Sequence, residues 1–458
     1  MDFRLTSAIL IGKSVALLNR LTGTGATAAP GLYALKFDPN LVKKLTARIK
    51  NGNIVISGTN GKTTTSRLAA DILSLKFKII HNRQGSNLLR GIASTLISKS
   101  DLFGNIDANL AIWETDEATL PQAIEHTQPK KIVLLNLFRD QLDRYGEVDT
   151  VRAKWQKSLS KQKLGSTLIL NADDPGISFL ARGFADKTVF FGVEDKKLSL
   201  PQIASVADIK HCLNCEANLT YTTLLSAHMG SYSCSKCSLK RPKPSISASN
   251  LKFKPDFSTS INLSLITYHL SLTYNLPGLY NAYNILAACA LANSLKIGPS
   301  DIKKGIAGFS SAFGRFQSVQ VKNKSAVIFL IKNPAGANEV IRTISLKNNL
   351  HILAILNDKI ADGRDVSWIW DTNWEILKPK VKSLAVSGTR CWDMATRFKY
   401  ADFNMSKDCI YENINYSLEK SLDKLDKKDT LIILPTYTAM LEVQKYLKRK
   451  GIEPWHTN

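Results

Sequence analysis

The sequence predicts an α/β protein with a parallel sheet that carries a phosphate-binding loop, an inserted zinc ribbon and a C-terminal α/β domain of Rossmann-like type. Three observations support this fold class. Strand-like and helix-like segments alternate over residues 53–193, a glycine-rich loop occupies residues 58–63, and two Cys-x-x-Cys pairs lie within residues 212–237. Such alternation is typical of a parallel sheet with helices on its faces.

The 458 residues suffice for about three domains. We expect a central nucleotide-binding domain, with its N-terminal segment, over residues 1–318. The zinc ribbon is expected within it at residues 208–244, and the C-terminal domain at residues 319–458. An apolar content of 44% is enough for packed cores.

The chain is strongly basic, with a formal net charge of +23 from 61 basic and 38 acidic residues. This charge predicts attraction to phosphate-rich substrates, polyanions or an anionic membrane surface. A solvated basic surface without a binding role is an equally weighted alternative. No helix-turn-helix or stacking-aromatic pattern is visible, so nucleic acid is not an expected partner.

The N-terminal segment, residues 5–21, is largely apolar but is interrupted by Lys13, Ser14, Asn19 and Arg20. No run of about 18 uninterrupted apolar residues occurs, so no membrane-spanning helix is predicted. The segment also lacks the small-residue cleavage site of a secretory signal. We predict a helix packed on the nucleotide-binding domain, with a position on a membrane surface as the alternative.

The first predicted strand, residues 53–56, leads into the loop Gly-Thr-Asn-Gly-Lys-Thr and then into a helix-forming stretch. Backbone N–H groups of such a turn bind phosphate oxygens, Lys62 can neutralise the terminal phosphates, and the Thr63 hydroxyl can ligate Mg²⁺. Ile56 stands where the general pattern has its first glycine, and a plain strand-to-helix turn is the alternative. The predicted contacts to a nucleoside triphosphate are Gly58, Thr59, Asn60, Gly61, Lys62, Thr63 and Thr64.

Polar residues follow the next predicted strands, where ligands of parallel sheets bind. These strands are residues 109–113, 131–135, 167–170 and 188–191. Glu114, Asn136 and Asn171 lie at three of the carboxyl ends. Glu114 ends an apolar strand, which favours a Mg²⁺ ligand, because a buried carboxylate needs a partner. For Glu117 we favour a helix-capping role in the first turn of the next helix.

Two Cys-x-x-Cys pairs separated by 18 residues predict a structural zinc site. Each pair can fill two corners of a tetrahedron, and four thiolates leave no open position for catalysis. The predicted ligands are Cys212, Cys215, Cys234 and Cys237. Four unrelated buried thiols are the alternative, and His211 and His228 lie near enough in sequence to compete as ligands.

Taken together, these motifs resemble the Mur ligase superfamily, the ATP-dependent ligases of peptidoglycan precursors. The glycine-rich loop and Glu114 match the phosphate loop and the magnesium glutamate of that family. Residues 136–143 resemble its N-x-x-x-D-H-L-D motif, and residues 171–175 and 276–284 match further motifs. The expected cofactors are therefore ATP and Mg²⁺, with Lys62 and Glu114 as catalytic residues.

The resemblance also implies roles that spacing alone does not give. Asn281 and Asn284 correspond to residues near the adenine, and Arg315 to an arginine that meets phosphate. Gln141 replaces the histidine of the motif, which removes the basis for a second Mg²⁺ site. Lys154 is the nearest counterpart of the family's carbamylated lysine, although its spacing differs.

Within the superfamily, the cysteine pairs and several further motifs resemble the MurT family, the ATP-using subunits of lipid II isoglutaminyl synthase. Those motifs lie at residues 22–31, 332–339, 356–358, 362–368 and 435–439. The resemblance implies ATP-dependent amidation of the α-carboxyl of D-glutamate in the lipid II stem peptide, through an acyl phosphate, to give D-isoglutamine. Ammonia would come from a GatD-like glutaminase partner in a heterodimer.

No cysteine of the chain has a convincing glutaminase setting, since Cys289 lies in an apolar helix and Cys391 and Cys409 lack a visible base. The resemblance implies that Asp365, or as second choice Asp362, orients the catalytic histidine of the partner. A capped turn is the alternative role for both aspartates.

Two other functions are compatible with the motifs. The first is a Mur-type amino-acid ligase acting on a peptidoglycan precursor, which glutamine dependence would exclude. The second is a non-enzymatic zinc-ribbon protein that binds nucleotide or nucleic acid. We expect a cytoplasmic protein, with peripheral contact at the inner face of the cytoplasmic membrane left open.

Overall fold

The structure is a computed structural model, and it contains two large β-sheets covered by helices and an inserted two-stranded hairpin. Apart from the side chain of Ala185, it describes residues 2–22, 28–83, 86–138, 148–161, 165–201, 209–309, 316–321 and 323–452. The predicted fold class is confirmed: both large sheets are mostly parallel and are covered by helices.

Three helices precede the first sheet: α1 (Phe3–Leu21), α2 (Ala29–Phe37) and α3 (Leu41–Thr46). The α1 helix begins at Asp2, whose carboxylate accepts a hydrogen bond from the backbone N–H of Leu5. One side of α1 is buried in a hydrophobic cluster that it shares with α2, α3 and the first sheet. The predicted N-terminal helix and its packing on this domain are therefore confirmed.

The first sheet contains nine strands among the described residues. Its order is β11-β10-β9-β6-β5-β4-β1-β3-β2, parallel from β2 to β9 and antiparallel at β10 and β11. The strands are β1 (Asn53–Ser57), β2 (Ile79–His81), β3 (Leu110–Glu114), β4 (Lys131–Leu134), β5 (Thr167–Asn171), β6 (Thr188–Val193), β9 (Ile246–Phe253), β10 (Thr259–Ser264) and β11 (His269–Tyr274).

Seven further helices pack on this sheet or follow it. They are α4 (Lys62–Leu73), α5 (Leu89–Lys99), α6 (Leu120–Thr127), α7 (Val148–Ser160), α8 (Pro175–Phe179), α9 (Leu279–Ser294) and α10 (Pro299–Ala307). The α9 helix is apolar all round and is buried on almost every side, as such helices must be.

The inserted hairpin consists of β7 (Leu219–Ser226) and β8 (Met229–Cys234). It lies in the chain between β6 and β9, which pair directly with each other in the main sheet. The insertion therefore leaves the sheet continuous. A small core of its own, which includes Ile209 and Tyr232, supports it.

The C-terminal sheet has the order β12-β13-β17-β14-β15-β16, with only the β12–β13 pair antiparallel among the described strands. Its strands are β12 (Gln317–Val321), β13 (Lys324–Ile328), β14 (Leu350–Ile355), β15 (Val381–Ser387), β16 (Ile410–Tyr411) and β17 (Thr430–Pro435). Its helices are α11 (Pro334–Ile344), α12 (Cys391–Tyr400), α13 (Ile414–Asp423) and α14 (Tyr437–Arg449). The domain division stays a prediction, and its boundary after residue 318 falls within β12.

None of the helices in the described ranges combines the length and the apolar character that crossing a bilayer requires.

Candidate nucleotide site and metal centre

The glycine-rich loop joins β1 to α4 in a conformation that requires glycine at two positions. Gly58 and Gly61 have φ of +145° and +88°. A Cβ at residue 61 would lie 2.1 Å from the Asn284 Oδ1 atom, and one at residue 58 would lie 2.9 Å from the Leu135 Cβ atom. The loop can therefore approach both α9 and the residue after β4 only because these side chains are absent.

Residues that follow β4 hold the loop in place. Asn60 donates its backbone N–H to Asn136 Oδ1 at 2.8 Å, and Asn136 Nδ2 donates to the Asn60 carbonyl at 3.0 Å. The Thr59 hydroxyl donates to the Phe138 carbonyl at 3.1 Å and accepts from the Phe138 N–H at 3.0 Å. These reciprocal bonds pre-organise the loop without using a phosphate.

Lys62 opens α4 and forms a buried ion pair. Its Nζ atom lies 2.7 Å from Glu117 Oε2 and donates to the Thr59 carbonyl at 3.3 Å. The predicted place of Glu117 in a helical first turn is wrong, because the helix begins at Leu120, after the cap residue Thr119. Glu117 instead lies in the turn before α6 and holds the lysine of the loop.

Thr63 and Glu114 converge at the carboxyl end of β3. The Thr63 hydroxyl donates to Glu114 Oε1 at 2.6 Å, and the Ser66 hydroxyl lies 3.4 Å from Glu114 Oε2. Asn82 fixes the backbone of Glu114 through two hydrogen bonds of 2.9 Å. Hydroxyl and carboxylate oxygens are the ligands that Mg²⁺ prefers, so this donor set fits the predicted ion.

His81 lies near Arg67 and Arg83, and the sequence did not single out these three residues. Arg83 forms an ion pair with Asp71 at 2.5 Å. Burial lowers the pKa of His81 to about 3, and the positive charges of Arg83 and Arg67 act in the same direction. Burial also lowers the pKa of Arg67, which interacts electrostatically with Glu114. This side of the site therefore combines cationic groups with a neutral imidazole and suits an anionic ligand.

Of the two asparagines of α9, Asn284 lies against the loop and Asn281 is hydrogen-bonded to Asn284. Their position near the adenine stays a prediction. Asn284 Oδ1 accepts from the Thr65 hydroxyl at 3.3 Å, and Asn284 Nδ2 donates to Asn281 Oδ1 at 3.1 Å. Asn281 Nδ2 in turn donates to the Pro277 carbonyl at 2.8 Å. Asn284 lines a cleft next to the loop, together with Tyr283.

The other walls of this cleft come from the inserted hairpin and the C-terminal domain. Ser226 and Met229 of the hairpin and Glu339 of α11 line it. Asn333 Nδ2 donates to Asn60 Oδ1 at 3.3 Å, which joins the C-terminal domain to the loop. Arg342 of α11 donates to the carbonyl of Leu225 at 2.7 Å and of Leu198 at 2.8 Å, so the hairpin and α11 are also joined.

A buried aspartate connects the hairpin to α9. Asp173 accepts hydrogen bonds from the Tyr283 hydroxyl at 2.7 Å and from Arg241 Nε at 2.6 Å. Arg241 follows the second cysteine pair and also binds Glu194 at 2.6 Å. The return segment of the insertion is therefore anchored next to a residue that lines the cleft.

The four predicted zinc ligands meet at one point. Their Sγ atoms all lie within 4.8 Å of one another, with Cys212 and Cys237 3.4 Å apart and Cys215 and Cys234 3.5 Å apart. The backbone N–H groups of Asn214 and Lys236 donate to sulfur, as in a zinc knuckle. In a tetrahedral site with Zn–S bonds of about 2.3 Å the sulfurs lie about 3.8 Å apart, so this cluster fits zinc.

The nearby histidines do not join this cluster. His228 is buried against the ring of Phe138, with ring centroids 4.8 Å apart. His211 pairs through its backbone with Asn218. Only the four cysteines form such a cluster in the described part of the chain.

The two aspartates proposed to serve a partner differ in exposure. Asp362 is buried, and its carboxylate accepts from both the backbone N–H and the hydroxyl of Thr438. Asp365 is exposed and accepts from the Ser367 N–H at 2.8 Å. Hydrogen bonding by the hydroxyl and then by the N–H of Ser367 lowers the pKa of Asp365. Asp365 therefore caps a turn and is also accessible from solvent.

Five further residues were singled out from the sequence: Arg315, Gln141, Thr64, Lys154 and Cys289. Arg315 and Gln141 lie outside the described residues. Thr64 is buried in α4, and Lys154 is exposed on α7. Cys289 is fully buried in α9, where burial raises the pKa of its thiol to about 12, in agreement with a core position.

Comparisons with known families give one match in the region of each large sheet. Residues 56–220 match the Mur ligase middle domain, and residues 330–440 match the MurT ligase C-terminal domain. The first match contains the glycine-rich loop, Glu114 and Glu117. The second contains Asn333, Arg342 and both aspartates.

Similarity to curated proteins extends over nearly the whole chain. It is 32% identical over 446 residues to the lipid II isoglutaminyl synthase (glutamine-hydrolyzing) subunit MurT of Staphylococcus aureus strain COL, covering 97% of this chain and 98% of that protein. This chain belongs to the MurT family. The MurT subunit of Streptococcus pneumoniae is also 32% identical, with 99% of both chains covered.

Solved structures agree with this assignment at the level of fold. A pseudomurein peptide ligase type C from Methanothermus fervidus aligns with a TM-score of 0.68 at 22% identity, covering 89% of this chain and 80% of that one. A MurF ligase from Thermotoga maritima in complex with ADP aligns with a TM-score of 0.62 at 12% identity, covering 91% and 84%. This chain thus shares the fold of the Mur ligases.

Proposed function

We propose that this chain is the ATP-using subunit of a lipid II isoglutaminyl synthase, which amidates the α-carboxyl of D-glutamate in the lipid II stem peptide. The observation that carries the proposal is the match, over nearly the full length of both chains, to subunits of that name in two organisms. The arrangement of Lys62, Thr63 and Glu114 around the glycine-rich loop supports it, because activation of a carboxylate requires phosphoryl transfer from ATP.

In the proposed reaction, a carboxylate oxygen of the substrate attacks the γ-phosphorus of ATP, ADP leaves, and an acyl phosphate forms. Ammonia then attacks the acyl carbon, phosphate leaves, and a proton is lost to give the amide. Lys62 and the loop N–H groups would stabilise the phosphate charge. When bound, Mg²⁺ would screen the negative charge between the phosphates, and Thr63 and Glu114 would hold it. Arg67, which interacts electrostatically with Glu114, would attract the carboxylate.

The nucleotide contacts proposed from sequence remain part of this assignment. Asn281 and Asn284 would lie near the base, and Arg315 would add positive charge at the phosphates. Asn333 and Arg342 join the C-terminal domain to the loop and the hairpin, so the cleft needs both domains and the insertion. A nucleotide bound there would therefore stabilise the contact between them.

Ammonia at neutral pH is mostly protonated, so a glutaminase partner of the GatD type would supply it in a complex. The names of the relatives, as glutamine-hydrolysing synthase subunits, support a multi-subunit enzyme. Asp365 is the aspartate proposed to orient the partner's histidine, because it is exposed while Asp362 is buried against Thr438. The lipid substrate would bring the enzyme to the inner face of the cytoplasmic membrane.

The test is mass spectrometry of lipid II after incubation with ATP, Mg²⁺, this chain and a co-expressed glutaminase. With glutamine, we expect the mass change of replacing a hydroxyl by an amine. High ammonia should support the same product without the glutaminase. Incorporation of an amino acid, or no ATP-dependent change with either nitrogen source, would contradict the proposal.

The zinc site is proposed as structural. Cys212→Ser should lose bound zinc in metal analysis and lower the melting temperature, because the small core of the hairpin depends on the cluster. Cys409→Ser is the matched control, since that half-buried cysteine lies in the C-terminal domain. Equal zinc content in both variants would refute the ligand assignment.

A further inference from the structure

The first two helices expose a concentration of apolar side chains on the molecular surface. Of the 19 large exposed apolar side chains among the described residues, eight lie within the first 37 residues. We call them the N-terminal apolar surface; its members are Phe3, Leu10, Leu17, Leu18, Leu21, Leu32, Tyr33 and Phe37. Clusters of this kind mark interaction sites, whereas scattered exposed apolar residues do not.

The α1 helix is apolar on two opposite sides. Its inner side, which includes Leu5 and Ile9, is buried in the core. With 3.6 residues per turn, Phe3, Leu17 and Leu21 fall within about 40° of one another on the opposite side. These three side chains are 77%, 59% and 75% exposed. A helix that only packs on its own domain typically carries polar residues on that outer side, whereas here three large apolar side chains are exposed.

The α2 helix lies antiparallel beside α1 and widens the surface. Arg4 Nε donates to the Phe37 carbonyl at 2.9 Å, which places the start of α1 beside the end of α2. A Cβ at Gly12 would lie 3.3 Å from the Pro30 carbonyl, which places the start of α2 beside the middle of α1. The α2 helix therefore lies beside the first half of α1.

The charge around this surface is strongly positive. Residues 1–50 contain eight basic residues and two acidic ones, a net charge of +6. Both acidic residues, Asp2 and Asp38, bind Lys44 at 2.7 Å, and Asp38 is buried. Arg20 and Lys36 are exposed beside the apolar side chains.

We propose that the N-terminal apolar surface binds the interface of an anionic lipid bilayer. An apolar helix side bordered by lysine and arginine is the pattern of helices that lie in the plane of a membrane surface. A second copy of the chain is a poor occupant, because it would bring two segments of charge +6 together. The proposal goes beyond the proposed reaction and does not depend on it.

The test is co-sedimentation of the full chain with vesicles. Vesicles of phosphatidylglycerol and phosphatidylethanolamine in equal parts should bind the chain, and vesicles of phosphatidylcholine should bind it more weakly. The paired substitution Leu17→Glu and Leu21→Glu should weaken binding at least about a hundredfold, since two apolar side chains are lost and two negative charges are gained. Both positions are exposed, so the fold should persist, which circular dichroism checks.

The matched control is Ile266→Glu with Leu346→Glu, two exposed apolar side chains outside this surface, at 62% and 50% exposure. It adds the same charge and should retain vesicle binding. Equal loss in both variants, or no binding of the unaltered chain to the anionic vesicles, would overturn the proposal. A third outcome would also overturn it: the unaltered chain forms a dimer, the Leu17→Glu and Leu21→Glu variant stays monomeric, and neither protein binds vesicles. Because ammonia-driven amidation of a detergent-solubilised substrate needs no bilayer, failure here is distinguishable from failure of the proposed function.

Discussion

The carboxyl ends of the two parallel sheets both carry polar side chains, but these side chains do different things. At the first sheet, Lys62, Glu114 and Glu117 are ionisable groups arranged around a glycine-rich loop beside an open cleft. At the C-terminal sheet, Asn357 donates to the hydroxyls of Thr436 and Thr438, and Thr389 donates to Asn357. These neutral groups bind one another and also nearby carboxylates, since Thr438 donates to Asp362 and the Thr389 hydroxyl donates to Asp358 at 2.8 Å.

This difference separates a ligand-binding edge from a structural one. The topology brings polar residues together at both edges, as it does in open α/β sheets generally. Gly58 and Gly61 let the first loop lie close to α9 and to the residue after β4, whereas the amide and hydroxyls of the second edge connect neighbouring loops. We therefore expect the first edge to act on small molecules and the second to act through exposed Asp365, on a partner protein.

The largest expected effect concerns Asp365. If it orients the histidine of a glutaminase partner, Asp365→Ala should lower glutamine-driven amidation by roughly a thousandfold or more, because the histidine loses its orienting carboxylate. Amidation driven by free ammonia should persist. The measurement is the ratio of the two rates in the reconstituted complex.

Asp362→Ala is the matched variant for that experiment. It removes a buried acceptor of two hydrogen bonds from Thr438, so the free energy of unfolding should fall by about 1–3 kcal/mol. The amidation rates with glutamine and with ammonia should then fall by the same factor. A selective loss of glutamine-driven activity in Asp362→Ala, and not in Asp365→Ala, would reverse the assignment.

Lys62→Met tests the first edge. We expect kcat to fall at least about a hundredfold with glutamine and with ammonia, since a preorganised cation at the phosphates is lost. Lys76→Met is the control, because Lys76 is exposed just beyond the same helix and pairs only with Asp301 among the described carboxylates. A loss limited to the glutamine-driven rate would contradict the role given to this edge.

The next prediction concerns how the stability of the first domain depends on pH through His81. Its folded pKa, about 3, lies below its ordinary value of 6.5, so below pH 6.5 the unfolded chain binds a proton that the folded chain does not. Its contribution to stability is therefore lost as pH falls from 6.5 towards 3, by at most about 1.4 kcal/mol per pH unit. His81→Gln should flatten this slope in urea unfolding, whereas His269→Gln, at an exposed position, should not. Parallel slopes in all three proteins would contradict the prediction.

The predictions from sequence succeeded where a short stretch of residues is enough to determine the local structure. The five strands predicted in the first domain are present, because each is an apolar run that the sheet buries. The strand β2 was missed, since it has only three residues and only its central one is buried. Glu117 was misplaced because two acidic residues next to each other also suit a helix start, and its lysine partner is 55 residues away.

The sequence by itself determined the chemistry: the loop glycines, Thr63 and Glu114 at strand ends, the cysteine spacing and the resemblance to Mur ligases. Only the tertiary structure decided which groups meet. The pairing of Lys62 with Glu117, the hairpin and α11 as walls of the cleft, and the burial of Asp362 beside exposed Asp365 depend on distances in space. Arg342 and the Leu225 carbonyl, for example, are 117 residues apart in the chain and form a hydrogen bond. Such contacts arise from the packing of whole domains, which no short sequence pattern records.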